Sequence, residues 1–385
     1  MSKLPKEWEE KTFDEFFNIH PKRKGLLKND YNENGSYPIV DQGQNLISGF
    51  TNDSTLLIEI KEIPYIIFGD HTRIIKYIDF DFVVGADGTK LLTSKDNILP
   101  RFAYYHLLNK KVPSTGYNRH FKLLKDLKFY LPPTIQYQKL IVKILDHAHK
   151  IIKEREEAIK LCEQLIEAAF YEMFGDPVRN EKKLKQATLG KISEAPQYGL
   201  TTSATKNSSG TRFLRITDID DYGFLGRTES AFVTISQKDI EKYKLNDNDI
   251  VIARTGATAG KSYLHRTTDE DIVFASYLIR FPLKTNLILP EFVEAFFQTS
   301  FYNEQIKRLS TGTARANVNA NTLKKIKIPF PERKDQEKFV ELINKNRKFK
   351  ISMQDALKLE KQQFQALLQA AFEGKLTAHL DGEDE

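Results

Sequence analysis

The stretch at 250–264, IVIARTGATAGKSYL, joins a β-branched run, a glycine-rich turn and then Gly260-Lys261-Ser262. These are the residue types of a phosphate-binding loop, in which backbone amides cradle phosphates and a lysine reaches the outer ones. The spacing departs from that pattern. The first glycine of such a loop belongs at position 255, which is Thr255, and the glycine stands at Gly256. The loop must also open into a helix whose N-terminal amides hold the anion. Here Ser262-Tyr263-Leu264-His265-Arg266-Thr267-Thr268 follows, β-rich and then polar, which reads as strand, loop, strand. A P-loop-like nucleotide-binding enzyme, with Lys261 as its carrier, therefore stands as a rival reading.

Other chemistry is thinner still. Asp53, Glu59 and Lys61 have the order of a nuclease triad, a pattern that arises often by chance. The LPPT at 131–134 lacks both the asparagine and the aromatic of an Asn-Pro-Pro-aromatic methyltransferase box, and no glycine-rich methyltransferase fingerprint is seen. His71 and His120 lie in polar stretches with nothing else at ligand spacing, so no metal is expected. The single cysteine, Cys162, excludes an intramolecular disulfide and a cysteine-rich zinc site. No catalytic residues are expected in this chain. Its 385 residues allow two or more domains, and a hydrophobic content of 40% supports sizeable cores. A net charge of +6 permits nucleic acid as a partner without requiring it.

The elements that would position any site come in duplicate. A helical stripe runs from about 135 to 174 through Ile141, Ile144, Ala148, Ile151, Ala158, Cys162, Leu165 and Ala169. A second runs from about 335 to 372 through Phe339, Leu342, Phe349, Met353, Leu357, Phe364, Leu367 and Ala371. Helices of this length, nearly 60 Å, outrun a typical domain and are each other's obvious partners. Matching text precedes them. LKFYLPPTIQYQKLIVKIL at 127–145 lines up with IKIPFPERKDQEKFVELI at 326–343, placing Pro133 with Pro331, Gln138 with Gln336 and Val142 with Val340. ILPRFAYYHLL (98–108) matches ILPEFVEAFFQ (288–298), and STGYNR (114–119) matches STGTAR (310–315). YPIV (37–40) sits like FLRI (213–216), and PYIIFGDHTRIIKY (64–77) takes the place of the glycine-rich stretch. The chain is thus two tandem copies of a strand-rich domain followed by a long helix. A loop kept in place but rewritten, from Gly69-Asp70-His71-Thr72-Arg73 to Thr255–Lys261, behaves like a recognition surface rather than a nucleotide site. If the helices pack antiparallel, the copies form a pseudo-two-fold object with a reader at each end, a shape suited to bipartite DNA.

These segments together resemble the DNA-specificity (S) subunit of type I restriction–modification enzymes. The resemblance rests on the doubled ILP-x-F, STG-x-x-R and P-x-x-x-x-Q segments and on AAFYEMFGDP (168–177) and AAFEGKLT (371–377). QYGLTTSATKN and RFLRITDID within 197–220, with IARTGATAGKSYL, carry it further. It covers nearly the whole chain. The fold it implies is α/β (α+β), with target-recognition domain 1 at 1–133 and a long helix, structural repeat 1, at 134–177. Target-recognition domain 2 follows at 178–331, structural repeat 2 at 332–376 and an acidic tail at 377–385, the two helices forming an antiparallel coiled coil. The function it implies is sequence-specific binding of double-stranded DNA, each domain reading half of a bipartite site. The implied partners are two modification subunits bringing S-adenosylmethionine and two restriction subunits bringing ATP and Mg2+, with no cofactor in this chain. A stand-alone nucleic-acid-binding scaffold is a further alternative.

Bases are read by arginine on guanine and by asparagine or glutamine on adenine. Candidates in the second copy are Tyr198, Thr201, Thr202, Arg212, Arg215, Thr217, Arg254, Thr258, Lys261, Tyr277, Arg315, Asn317 and Asn319. Gly256 and Gly260 would let backbone approach phosphate. In the first copy they are Lys22, Arg23, Gln42, Gln44, Asn45, His71, Arg73, Asp87, Tyr117, Arg119 and His120. Tyr277 and Arg215 also fit a core tyrosine and a structural ion pair. Positive charge concentrates in the second domain, where 23 Lys+Arg face 16 Asp+Glu, against 19 and 17 in the first. The second should hold phosphate backbone more strongly. Leu140, Leu145, Ile152, Ile159, Ile166, Phe170, Phe174, Ile343, Leu359, Leu368 and Phe372 exceed what one helix seam needs and are expected to dock modification subunits. The tail Asp381-Gly382-Glu383-Asp384-Glu385 is expected to be disordered. Without an apolar run of about 20 residues or a signal-peptide core, a soluble cytoplasmic protein is expected.

Overall fold

The computed structural model describes residues 7–21, 25–60, 62–85, 87–114, 116, 118–177, 179–205, 209–220, 223–226, 230–267, 270–310 and 317–377. The chain divides into two compact units, one formed by Met1–Glu156 with Asp355–Glu385, the other by Glu157–Gln354. Each long helix therefore contributes to both units.

In the first unit, one antiparallel sheet orders Phe17–Ile19, Thr89–Ser94, Tyr65–Gly69 and Ile75–Ile78. A second orders Gly49–Thr51, Tyr37–Val40, Phe82–Val84 and Leu57–Ile58, with Tyr37–Val40 and Phe82–Val84 running parallel. Glu9–Lys11 pairs with Phe129–Leu131 and ties the start of the domain to the approach of the first long helix. The second unit repeats this plan. Gln197–Tyr198, Leu278–Pro282, Asp249–Ala253 and Ser262–Leu264 form one sheet, and Phe232–Val233, Thr211–Leu214 and Ile272–Phe274 form the other, again with one parallel pair. Gln186–Thr188 closes it against Lys327–Pro329. The central strands are β-branched and buried over most of their length, as Tyr65–Gly69 and Asp249–Ala253 show.

Hydrogen bonding refines the register of the repeat. Gly85 N–H donates to Val40 O at 2.9 Å and Ala275 N–H to Leu214 O at 3.1 Å. Val40 thus corresponds to Leu214, and YPIV corresponds to the strand Thr211–Leu214, two residues before FLRI. A sequence match between short β-branched runs tolerates such a slip; a ladder does not.

The long helices are Ile135–Phe174 and Arg333–Phe372, 40 residues each, roughly 60 Å at 1.5 Å per residue. Within the first unit their segments run antiparallel. His149 packs 5.6 Å from Phe364, and Arg155 Nη2 reaches Glu360 Oε1 at 2.7 Å. Within the second unit they are antiparallel as well, with Phe170 at 5.6 Å from Phe339 and Asn346 Nδ2 donating to Cys162 O at 2.6 Å. The heptad reading holds in part, since Ile141, Cys162, Ala169, Phe339, Phe364 and Ala371 of that stripe are buried. Leu145, Ile152, Ile159, Phe170, Phe174, Ile343, Leu368 and Phe372 are buried within the chain, while Ile151, Leu165, Leu342 and Phe349 are exposed. The reason is that each helix packs against a strand-rich domain as well as its partner helix, so its apolar face is wider than a seam and rotated from it.

Both domains seat a helix on a long helix by the same device. Pro100–Asn109 and Pro290–Phe296 each begin with proline, whose fixed φ suits the first turn. Leu99 N–H donates to Gln138 Oε1 at 2.8 Å, and Leu289 N–H donates to Gln336 Oε1 at 2.9 Å. The P-x-x-x-x-Q segment thus supplies a buried glutamine that caps the preceding helix. Among the described residues no helix is long and apolar enough to cross a membrane.

Candidate nucleic-acid interface

In the second unit the glycine-rich stretch is a hairpin loop. Asp249–Ala253 leads into it and Ser262–Leu264 returns antiparallel, with Ile252 opposite Ser262. A strand follows Lys261 where a phosphate-binding loop needs a helix, so the geometry of a P-loop is not formed. Gly256, at φ 76°, has no atom of the described residues within 4 Å of where a Cβ would stand. Gly260, at φ 92°, has a different role from the phosphate approach expected of it. A Cβ there would lie 2.9 Å from Ile306, and Tyr302 Oη donates to Gly260 O at 2.7 Å. Its missing side chain admits the helix Ser300–Leu309. Thr258 is exposed beside it, and Thr258, Lys261, Gln298 and Asn303 line a polar cleft of about 220 Å³.

Around this loop the fold gathers residues distant in sequence. Arg254 N–H donates to Tyr277 O at 3.0 Å, and Val318 N–H donates to Arg254 O at 2.9 Å. Thr255 and Asn317 form a β-bridge. The Arg254 guanidinium lies 5.1 Å from the Tyr198 ring centroid, and Tyr198 Oη accepts from Ala320 N–H at 3.1 Å. Arg254 Nε is buried with no hydrogen-bond partner among the described residues. Asn317 is exposed. Asn319 caps the helix Ala320–Leu323, its Oδ1 accepting from Thr322 N–H at 3.0 Å, which engages its amide oxygen. Thr201, Thr202 and Thr217 are exposed.

Two arginines are less free than their sequence context implies. Arg215 forks onto Asp218, Nη2 to Oδ1 at 2.7 Å and Nε to Oδ2 at 3.1 Å. That hydrogen bonding raises its pKa further and fixes the Ile216–Asp218 turn. Burial lifts the half-buried Tyr277 hydroxyl above the ordinary tyrosine range, with Arg215 opposing. Arg212 pairs with Glu270 at 2.7 Å on the strand Thr211–Leu214.

The first unit builds an equivalent cluster with other residues. Gln42 is its hub. Its Nε2 donates to Asp87 O at 2.7 Å, its Oε1 accepts from His71 N–H at 3.1 Å, and its carbonyl accepts from Thr72 Oγ1 at 2.7 Å. Gln44, Asn45, Arg73 and Arg119 are exposed. Arg73 adopts φ 62° and donates through Nη1 to Val112 O at 3.1 Å. His120 corrects an expectation of direct contact. It is fully buried, and both its N–H and its Nδ1 meet Asp70 O, at 2.8 and 3.0 Å. It holds the loop and leaves the surface to its neighbours. Because His120 N–H meets Asp70 O as Val318 N–H meets Arg254 O, the spatial counterpart of Arg119 is Asn317. Lys22, Arg23, Tyr117 and Arg315 lie outside the described residues.

One organising pair escapes sequence reasoning. Lys76 is buried, and its Nζ donates to Asp41 O at 2.7 Å and to Asn45 O, with Asp41 Oδ1 at 3.9 Å. Burial works to raise the Asp41 pKa, but hydrogen bonds from Ser48 and Gly43, with the Lys76 charge, bring it below the ordinary value. The pair shapes the 41–48 loop that carries Gln42, Gln44 and Asn45. The available signal is a lysine inside the apolar strand Ile75–Ile78, IKYI.

A family model described as "Type I restriction modification DNA specificity domain" matches the chain twice, over residues 5–161 and 181–360. The type I restriction enzyme EcoR124I/EcoR124II specificity subunit of Escherichia coli is 23% identical over 357 residues, covering 84% of this chain and 82% of that protein. The type I restriction enzyme MjaVIII specificity subunit of Methanocaldococcus jannaschii is 22% identical over 366 residues, covering 88% and 86%. The crystal structure of the type I restriction–modification system S subunit from M. genitalium shares the fold at a TM-score of 0.54 and 17% identity, covering 97% of each chain.

Proposed function

The chain belongs to the type I restriction modification DNA specificity family, and from that premise we propose that its two units read the two halves of one bipartite site in double-stranded DNA. Membership makes it a DNA-recognition subunit rather than an enzyme. The observation that carries the finer reading is the duplicated loop cluster, built on the matching four-stranded sheet in both units but with different side chains: Arg254, Tyr198 and Asn317 in one, Gln42, Arg73 and Arg119 in the other. Same scaffold and different surface is what two readers of two different half-sites need. The assignment of 1–133 and 178–331 as the recognition domains, with the contact residues named above, belongs to this proposal.

The long helices set the distance between the half-sites and dock two modification subunits, which bring S-adenosylmethionine. Two restriction subunits bring ATP and Mg2+. The docking surface is drawn from apolar side chains left exposed on the helices, Ile151 and Leu359 in the first unit and Leu161, Leu165, Phe349 and Ile351 in the second. A soluble, cytoplasmic location belongs to the same proposal. The test is to express the chain with its modification subunit in a methylation-free host and map modified adenines. A split motif with a constant gap supports the reading; a continuous motif, or none although the complex forms, refutes it.

A further inference from the structure

Each recognition domain meets its long helix through charged side chains, and the two contacts have opposite polarity. The shared glutamine caps fix the comparison. With Leu99 equivalent to Leu289 and Gln138 to Gln336, Arg101 is equivalent to Glu291, Tyr104 to Glu294, Asp146 to Asn344 and His149 to Arg347.

In the first unit the cation is on the domain and the acid on the long helix. Arg101 Nε reaches Asp146 Oδ1 at 2.7 Å, and Tyr105 Oη donates to the same oxygen at 2.5 Å. The Arg101 guanidinium also lies 4.4 Å from the Tyr77 ring centroid. His149, on the same helix face, packs edge-on to Tyr105 at 6.3 Å. In the second unit the acid is on the domain. Glu294, 1% exposed, receives Arg266 Nη2 on Oε2 at 3.0 Å and Arg347 Nη2 on the same oxygen. Arg347 comes from the long helix, and its guanidinium lies 5.2 Å from the Phe224 ring centroid.

We propose that these contacts are keys that let each recognition domain seat only on its own helix. Seated on the first helix, the second domain would set Glu291 against Asp146 and leave buried Glu294 facing His149 in place of an arginine. Seated on the second helix, the first domain would set Arg101 against Asn344 and Tyr104 against Arg347. Buried Glu294 would keep Arg266 of its own domain but lose the second arginine, Arg347, that the helix supplies, which weakens a buried charge cluster, and like charges brought together reject the wrong match. The keys fix which reader follows which along the chain, and so the order of the half-sites. That consequence rests on the two-reader proposal, whereas the keying itself does not.

The test rewrites the second key as the first within the full chain. Asn344→Asp with Arg347→His changes the helix side, and Glu291→Arg with Glu294→Tyr changes the domain side. Each pair should lower the Tm by roughly 5–10 °C, and the four together should recover at least half of the summed loss. If one pair fails to fold, the four-residue variant still decides, because it must fold. Losses that simply add, or a four-residue variant that does not fold, overturn the proposal. A second experiment exchanges residues 1–133 with 178–331. That chain should fold only when Asp146→Asn, His149→Arg, Asn344→Asp and Arg347→His accompany the exchange. Equal folding without these changes overturns the keys. A re-keyed chain that folds but yields no reordered motif leaves the keys standing and refutes the two-reader reading.

Discussion

Replacing Gln336 by leucine isolates the device that seats the second recognition domain. Gln336 is 1% exposed, and its amide makes two hydrogen bonds, accepting from Leu289 N–H and donating to Pro331 O, both at 2.9 Å. Leucine keeps the volume, so no cavity is opened, but both backbone groups lose their partners. A buried polar group left unpaired costs roughly 1–3 kcal/mol. Pro331 is buried and Leu289 half-buried, so the loss should be about 2–4 kcal/mol. In Gln138→Leu the second partner is the carbonyl of exposed Asn97, which water can satisfy, and the loss should be smaller, about 1–3 kcal/mol. Urea unfolding of the full chain measures both, with an unchanged m-value marking a pure stability effect. The two sites lie in different units, so their costs should add within about 0.5 kcal/mol. A loss below about 1 kcal/mol for Gln336→Leu, or a larger loss for Gln138→Leu, would refute the reasoning.

Arg254→Ala should weaken binding of the cognate duplex by about 1–3 kcal/mol and relax sequence preference in one half-site only, whereas Lys261→Ala should weaken all sequences alike and reduce the salt slope by about one; fluorescence anisotropy across a salt series separates the two. ATP should not bind the isolated chain measurably in equilibrium dialysis, and saturable binding abolished by Lys261→Ala would revive the nucleotide reading. Burial pushes the pKa of His106 well below its ordinary value, helped by the nearby Lys110 charge. A histidine that stays neutral when folded but protonates near pH 6.5 when unfolded destabilises progressively as pH falls through that value, and its contribution is complete above it. Lowering pH from 7.5 to 5.5 should cost on the order of 1 kcal/mol through His106 alone. His106→Phe should remove that share of the pH dependence, and an unaltered pH profile by urea titration would count against it.

Much of this architecture is legible in the amino-acid order because the duplication doubles each signal. Pro100 and Pro290, or Gln138 and Gln336, mean little singly; at matched spacing they mark one supersecondary unit built twice. The long helices are legible because 40 residues of apolar periodicity leave few other solutions. The buried face is not, since Leu145 and Leu165 are equally apolar and only the tertiary packing of the domains decides which turns inward. Loop register is the hardest part. Arg119 corresponds to Asn317 through a backbone hydrogen bond that no side-chain match reveals. Polar loop residues likewise look alike in sequence, although Arg215 is held by Asp218 and His120 is buried, while Arg254 Nε has no hydrogen-bond partner among the described residues. Lys76 shows the reverse case, a charge in a strand that pairs inward to shape a loop.

The central claim is that two separable readers share one chain. The most direct test replaces residues 178–331 with the corresponding region of a relative of different specificity and maps modified adenines for the parent and the chimera, each expressed with the modification subunit. The account predicts a split motif in which one half changes while the other half and the intervening gap are retained. A chimera that folds and assembles yet alters both halves, or neither, would contradict it.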